Sequence, residues 1–212
     1  MPRKKRTLDR DSGMVRDASL VIIASEDTHA VSQYFRRFRT RRVAFKVLET
    51  QDCHSSPKDV MARLDAYRTE EATVEGDQFW VCIDSDHWIE PNHIANLTEV
   101  LRECRQKNYG VAISNPCFEL WLLLHFGLFE TSELSCRCES VEKQLRSIVG
   151  AYQKDNITAL PMTVESVHLA IERATKLDSD DQVLPTKPTT RVYRLLEVLL
   201  QRESINLHTR QD

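Results

Sequence analysis

The chain has 212 residues and a formal net charge of −3, with 41% hydrophobic and 29% charged residues. This composition is that of a soluble globular protein with one or two domains, and the net charge excludes a basic nucleic-acid coat. Only five glycines and seven prolines exclude a fibrous or loop-rich protein. No apolar run approaches the roughly 20 residues that span a bilayer, and no apolar segment of a signal peptide begins the chain. We therefore expect a cytoplasmic protein without membrane association.

Basic residues are concentrated in two places. Residues 1–17 form a polar arm without periodicity, which we expect to be flexible. A second cluster follows the first predicted helix and comprises Arg36, Arg37, Arg39, Arg41 and Arg42. Either group could neutralise the phosphates of a nucleic acid. The alternatives are a solvated tail and a set of cations that the C-terminus of a helix favours.

The first part of the chain predicts two strands separated by a helix. Residues 20–24 are a continuous apolar run, which is typical of a strand buried on both faces of a parallel sheet. A polar turn follows at residues 25–28, and apolar residues then recur at helical spacing from Val31 to Phe38. Residues 43–48 predict the second strand.

The next part predicts two more helices and two more strands. Ser56, Pro57 and Asp59 mark a helix start, with Ser as the N-cap, Pro at the first position and an acid at the third. Strands are predicted at residues 79–83 and 109–114, with a helix between them. The order of elements predicts an α/β fold with a wound, mainly parallel sheet of about four strands and flanking helices.

Beyond residue 115 the pattern becomes helical. A short buried helix is predicted at residues 118–126, and further helical patterns lie near 138–149, 164–177 and 189–202. No further strand is predicted. We therefore expect a single domain over residues 18–212, with an α/β core to about residue 116 and a helical portion over 117–212 packed on it.

The six cysteines have no spacing typical of a disulfide framework in a chain of this length. Cys136 and Cys138 are the one close pair, and a C-x-C pair alone is a weak indication of zinc. We expect reduced, mostly buried thiols.

Carboxylates follow two of the predicted strands. Glu26 and Asp27 come after the first strand, and Asp84 and Asp86 come after the third. Ligands of open α/β sheets bind outside these strand ends, and carboxylates suit Mg²⁺ or Mn²⁺. We predict that Asp84 and Asp86 hold such an ion and that Glu26 is a general acid or base or a further ligand. The alternative is an acidic turn, with Asp84 capping a helix that starts near Pro91.

Residues 114–126 form the most distinctive stretch of the chain. Glu119 lies there among Phe118, Leu120 and Trp121, and a buried carboxylate requires a partner. A metal ion or a salt bridge to an arginine would each provide one. His125 is interpreted as a core histidine.

Four blocks of sequence resemble the RloB family, which is also the domain of one AbiL-type phage-defence component. They are residues 22–28 with Tyr34 and Phe35, residues 80–87, residues 114–126, and a fourth block made of residues 152–154, 170–177 and 190–200. The turn Ser25-Glu26-Asp27 departs from the Cys-Glu-Gly of many relatives. Ala30 and Val31 occupy the positions of a Thr-Glu pair in those relatives. This chain therefore lacks the additional carboxylate that the relatives carry there.

The resemblance implies a Toprim-like domain that uses Mg²⁺ or Mn²⁺ to act on phosphodiester bonds. By this analogy Glu26 takes the acid/base place, and Asp84 and Asp86 take the metal places. Further candidates of unassigned role are Asp27, His87, Glu119 and Lys154. The resemblance also implies a nucleic-acid substrate and an ABC-type ATPase partner, and it leaves oligomerisation open.

Three functions are consistent with these observations. The first is a metal-dependent phosphodiesterase or nuclease of a prokaryotic restriction or abortive-infection system. The second is a non-catalytic subunit that binds nucleic acid or the partner ATPase in such a system. The third is a nucleotidyl-transfer or ligand-processing enzyme that uses the same acids.

Overall fold

Five strands form one sheet in the computed structural model, which describes residues 18–208 apart from 28, 49, 51–54, 87, 89–92, 130, 151 and 179–181. The strands are β1 (Ser19–Ser25), β2 (Val43–Leu48), β3 (Gln78–Asp84), β4 (Gly110–Asn115) and β5 (Thr189–Thr190). Their order is β2-β1-β3-β4-β5, with the first four parallel and β5 antiparallel to β4. The predicted wound, mainly parallel α/β sheet is confirmed.

Seven α-helices accompany the sheet in the described part of the chain. They are α1 (Ala30–Phe35), α2 (Pro57–Glu70), α3 (Ile94–Gln106), α4 (Phe118–Leu123), α5 (Cys138–Val149), α6 (Val164–Leu177) and α7 (Tyr193–Leu200). The side chain of Ser56 caps α2 by accepting a hydrogen bond from the Asp59 amide at 3.3 Å, as predicted. None of the described helices is long and apolar enough to cross a membrane.

Both faces of the sheet are covered, which explains why residues 20–24 of the first strand are all apolar. Alternate residues of β1 point to opposite faces. Ile22 packs with α2 and α3, in a core that includes Leu64 and Leu97. Ile23 packs on the other side with α1 and the C-terminal helices, in a core that includes Tyr34 and Trp121. The C-terminal helices thus complete the second face.

Two features differ from the sequence-based expectations. The sheet has a fifth strand, β5, which is only two residues long and pairs Thr190 with Ser114 and Thr189 with Asn115. A two-residue strand has no periodicity, and its pairing depends on the tertiary fold. Helix α3 begins at Ile94, and its N-cap His93 makes no side-chain capping hydrogen bond. Asp84 therefore does not cap this helix, while Pro91 lies outside the described residues.

Candidate active site at the carboxyl edge of the sheet

The strand order creates a switch point between β1 and β3. In the sheet, β2 lies on one side of β1, and β4 lies on the opposite side of β3. The connections β1–β2 and β3–β4 therefore run in opposite directions across the sheet, and their helices α1 and α3 pack on opposite faces of it. Such a point opens a crevice outside the carboxyl ends of the two strands, where ligands of this architecture bind. Asp84 ends β3, and the amide of Glu26 donates to the Cys82 carbonyl at 3.3 Å. The structure therefore brings Glu26 and Asp84 to the same edge.

Glu26 has one oxygen that is hydrogen-bonded and one that is not. Oε2 accepts a hydrogen bond from the Trp88 indole N–H at 3.0 Å. Oε1 is buried and has no hydrogen-bond partner among the described residues. Burial, with a further contribution from Asp86, raises the pKa of Glu26 to about 8, although the Trp88 hydrogen bond and Arg63 act in the opposite direction. The carboxyl group thus combines an oxygen that lacks a hydrogen bond from any described residue with a pKa raised to about 8.

Asp84 is surrounded by other carboxylates. Burial and the negative charges of Glu119, Glu26 and Asp86 raise the pKa of Asp84 well above its ordinary range, while Lys154 acts in the opposite direction. The turn that carries Asp86 is fixed by backbone hydrogen bonds, because the Asp86 amide donates to the Pro116 carbonyl at 3.1 Å. The crevice therefore concentrates negative charge around Asp84.

Glu119 and Lys154 form an ion pair beside this cluster. The side chain of Glu119 is 1% exposed, and its Oε1 lies 3.3 Å from Lys154 Nζ. The same oxygen accepts a hydrogen bond from the Tyr152 hydroxyl at 2.9 Å. Burial disfavours the Lys154 ammonium, but the Glu119 and Asp84 carboxylates outweigh it and raise the pKa of Lys154. A lysine and a tyrosine thus take the place of the arginine that we considered for a salt bridge.

The remaining acidic candidate, Asp27, binds backbone amides at the start of α1. Its Oδ1 accepts backbone hydrogen bonds from His29 at 2.8 Å, from Ala30, and from Val31 at 3.3 Å. These contacts satisfy amides at the start of α1, as an N-terminal capping side chain does. His87 lies outside the described residues, so its candidacy remains a prediction.

Arg42, the last residue of the arginine cluster, lies at the amino end of the strands, opposite the acidic crevice. The carbonyl of Arg42 accepts a hydrogen bond from the amide of Ser19, the first residue of β1, at 3.0 Å. Since β1 has seven residues, this end is roughly 20 Å from Glu26. The guanidinium of Arg37 donates to the Leu160 carbonyl at 2.7 Å. The structure does not bring these arginines to the acidic crevice, and only Arg36 caps the C-terminus of α1.

The cysteines differ from the expectation of reduced thiols. Cys117 and Cys138 form a disulfide, with Cα atoms 5.6 Å apart across a sequence separation of 21. The packing of α4 on α5 brings them together, which no spacing rule in the sequence indicates. Cys82 and Cys104 are buried free thiols, as expected, but Cys136 is exposed. Cys53 lies outside the described residues.

The core interpretation of His125 is confirmed. The side chain is buried, and its Nδ1–H donates to the Trp121 carbonyl at 2.9 Å. Nε2 lies 3.2 Å from the Tyr34 hydroxyl. Burial lowers the pKa of His125 to about 4.

Sequence reasoning missed three side chains that shape the crevice. Trp88 binds Glu26, and Tyr152 binds Glu119. Arg63 donates from Nη2 to the Ser25 carbonyl at 2.6 Å, one residue before Glu26. Trp88 directly follows the family block at residues 80–87, and Tyr152 lies in the family block that begins at residue 152. The sequence could therefore have indicated both residues. Arg63 lies within an ordinary amphipathic helix and had none.

Comparisons with known proteins agree with the blocks that surround the crevice. The family profile described as RloB-like protein matches residues 21–199, which include Glu26, Asp84, Glu119 and Lys154. Searches of curated proteins and of solved structures gave no match. Because the match covers nearly the whole chain and contains every carboxylate of the crevice, this protein belongs to the RloB-like protein family.

Proposed function

We propose that this RloB-like protein is a metal-dependent phosphodiesterase that cleaves nucleic acid in a prokaryotic anti-phage system. One observation carries the proposal: Glu26, Asp84 and Asp86 converge at the switch point of the sheet, where the pKa values of Glu26 and Asp84 are raised. Strongly perturbed carboxyl groups in a cleft are typical of functional sites. The family and its Toprim-like resemblance support the phosphodiester substrate and the role in phage defence.

The crevice fits a hard divalent cation such as Mg²⁺ or Mn²⁺. All the candidate ligands are carboxylate oxygens, which these ions prefer. Oε1 of Glu26 is buried without a hydrogen-bond partner in the described part of the chain. Burial, and then the negative charges of neighbouring carboxylates, raise the pKa of Asp84, and a bound cation would offset both effects. Asp84 and Asp86 would hold the ion, which when bound polarises a phosphoryl oxygen and lowers the pKa of a water molecule.

Glu26 is suited to move a proton. A general acid or base works best when its pKa lies near the working pH, and the pKa of Glu26 is raised to about 8. The Trp88 hydrogen bond holds Oε2, so the proton would be exchanged at Oε1. Glu26 would therefore accept a proton from the attacking water or return one to the leaving oxygen.

Lys154 is suited to bind a phosphate of the substrate. Its side chain is 50% exposed, and its charge acts on Asp84. Glu119 and Tyr152 fix this end of the crevice by a shared contact at Glu119 Oε1. Glu119 is therefore a positioning residue for Lys154, which attracts the anionic substrate towards a crevice that otherwise repels it.

The partners follow from the resemblance and remain proposals. An ABC-type ATPase is the proposed partner protein, and nucleic acid is the proposed substrate. A homo-oligomer is compatible with both.

The proposal is tested by assaying the protein with Mn²⁺ or Mg²⁺ on labelled single- and double-stranded DNA and RNA. Glu26→Gln preserves the size of the side chain and removes its titratable proton. We expect turnover to fall at least about 100-fold, since general acid/base catalysis contributes about 10²–10⁴-fold. Substrate affinity should change far less.

Glu99→Gln is the matched control, because Glu99 is an exposed carboxylate paired with Lys58 on the surface. It should retain full turnover. Cleavage that Glu26→Gln retains within a few-fold would remove Glu26 from the reaction. Tight binding of nucleic acid without any metal-dependent cleavage would favour the non-catalytic binding subunit instead.

A further inference from the structure

The disulfide between Cys117 and Cys138 lies against two carboxylates. Sγ of Cys138 is 3.5 Å from Oε2 of Glu119 and 3.9 Å from Oε1 of Glu142. One ligand atom from each of Cys117, Glu119 and Cys138 lies within 4.8 Å of the others. Two sulfurs and one carboxylate oxygen thus form a compact group between α4 and α5, and Glu142 approaches this group at Cys138 Sγ.

These spacings resemble those of a tetrahedral zinc site. Zn–S bonds of about 2.3 Å and Zn–O bonds of about 2.0–2.2 Å place neighbouring ligand atoms about 3.4–3.8 Å apart. The distance from Cys138 Sγ to Glu119 Oε2 already falls in this interval, and that to Glu142 Oε1 lies just beyond it. Once the disulfide is reduced, the two sulfurs are free to separate to the same spacing.

In Glu119 and Glu142, the carboxylate oxygen that does not face the sulfur contacts another side chain. Oε1 of Glu119 is held by Tyr152 and Lys154, and Oε2 of Glu142 is held by Arg146 Nη2 at 3.0 Å. Each carboxylate therefore turns its second oxygen towards the sulfur. Metal-ligating carboxylates typically have such outer hydrogen bonds, which orient them towards the ion.

We infer that, in the reduced protein, Cys117, Cys138, Glu119 and Glu142 form a binding site for a thiophilic divalent cation of the Zn²⁺ class. A dithiol first reduces the disulfide by exchange and becomes a disulfide itself. Zinc then binds as both thiols lose their protons and two Zn–S bonds form. This site uses none of the carboxylates proposed to hold Mg²⁺ or Mn²⁺, although Glu119 also contacts Lys154 of the crevice through its other oxygen. The inference does not depend on the proposed function.

Cobalt is the probe for this site, because Co²⁺ bound by thiolates gives a charge-transfer band and intense tetrahedral d–d bands. The full chain is reduced with a dithiol, freed of the reductant under argon and titrated with Co²⁺. We expect these bands to saturate at one equivalent and to disappear when Zn²⁺ is added. The oxidised protein, which has the same sequence, should show none of them.

Variants identify the ligands. Cys138→Ser should abolish the bands, and Glu142→Gln should weaken the metal affinity at least about tenfold, a loss that outer-shell changes alone reach. Cys136→Ser and Asp84→Asn should retain the bands, because neither residue belongs to the site. Circular dichroism confirms that each variant is folded, and Glu142 is the safest probe because its side chain is 20% exposed.

Several outcomes would overturn the inference. Reduced wild-type protein without thiolate–cobalt bands has no such site. Bands that survive in Cys138→Ser, or that Cys136→Ser removes, belong to other thiols. Equal bands in the oxidised protein would show that the disulfide sulfurs are not ligands. An unchanged affinity in Glu142→Gln would refute the four-donor set.

Discussion

Two buried carboxylate clusters in this protein differ in how their charge is compensated. The side chain of Asp178 is 2% exposed and accepts hydrogen bonds from Arg191 Nε at 2.9 and 3.2 Å. It also accepts from Arg194 Nη2 at 2.8 Å and from the Tyr193 hydroxyl at 2.9 Å. Two cations and a hydroxyl thus surround one carboxylate, as a buried charge requires.

At the carboxyl edge of the sheet, negative charges outnumber the positive charges that could compensate them. Glu26, Asp86 and Glu119 all act on Asp84, and within the described part of the chain Lys154 is the cation that opposes them there. A buried acid with a complete set of partners supports the fold. A buried acid whose pKa is raised by burial and by neighbouring carboxylates opposes folding when ionised. Its presence needs another explanation, which we propose is metal binding and catalysis.

The largest change in stability is expected at Asp178, whose charge is compensated by two arginines. Asp178→Asn leaves the Arg191 guanidinium buried beside a neutral amide, and loss of one partner of a buried pair costs about 3–5 kcal/mol. We expect a decrease of this size in the free energy of unfolding, measured by urea denaturation. Asp65→Asn is the control, since Asp65 also pairs with a lysine and a tyrosine but is 38% exposed. Its loss should be about 1 kcal/mol or less, and equal losses in both variants would remove the distinction.

The second largest change is expected in how the stability of the metal-free protein depends on pH, through the carboxyl group of Glu26. The pKa of Glu26 is raised from 4.5 to about 8, so the folded state binds more protons than the unfolded state between these values. Stability contributed by this group must therefore fall as pH rises from about 5 to 8. We expect the melting temperature to fall over this range and the fall to be smaller in Glu26→Gln. A pH profile identical in both proteins would contradict the raised pKa.

A smaller effect is expected from removing one repelling charge. Asp84→Asn should raise the melting temperature of the metal-free protein, by an amount equivalent to about 0.5–2 kcal/mol. The same change, combined with Asp86→Asn, should abolish Mn²⁺ binding in calorimetry while the fold remains intact. Glu75→Gln, an exposed acid in the turn before β3, should change neither quantity. Undiminished Mn²⁺ affinity in the double variant would exclude the proposed metal site.

The smallest effect is expected at the arginine cluster, which lies away from both acidic groups. Replacing Arg36, Arg39, Arg41 and Arg42 with glutamine spares Arg37, whose guanidinium binds the Leu160 carbonyl. If these arginines contact phosphates, nucleic-acid affinity should weaken and its dependence on salt should flatten. Binding measured at several salt concentrations checks this. An unchanged slope would identify them as solubilising charges.

Local patterns in the sequence determined most of the elements and the positions of the catalytic candidates. The apolar runs of β1 to β4, the start of α2 at Ser56, and the acids that follow β1 and β3 were all predicted, because each depends on a few adjacent residues. The family blocks were likewise predicted, and the RloB-like profile confirms them.

The tertiary structure decided which of these residues meet. The order β2-β1-β3 places Glu26 beside Asp84, and strand order depends on crossovers between distant segments. The pairs Glu119–Lys154 and Cys117–Cys138 join residues 35 and 21 positions apart through helix packing, and no local rule specifies them. Arg42 follows α1 in sequence but lies at the amino end of the strands, because a helix that leaves the carboxyl end of one strand returns the chain to the amino end of the next.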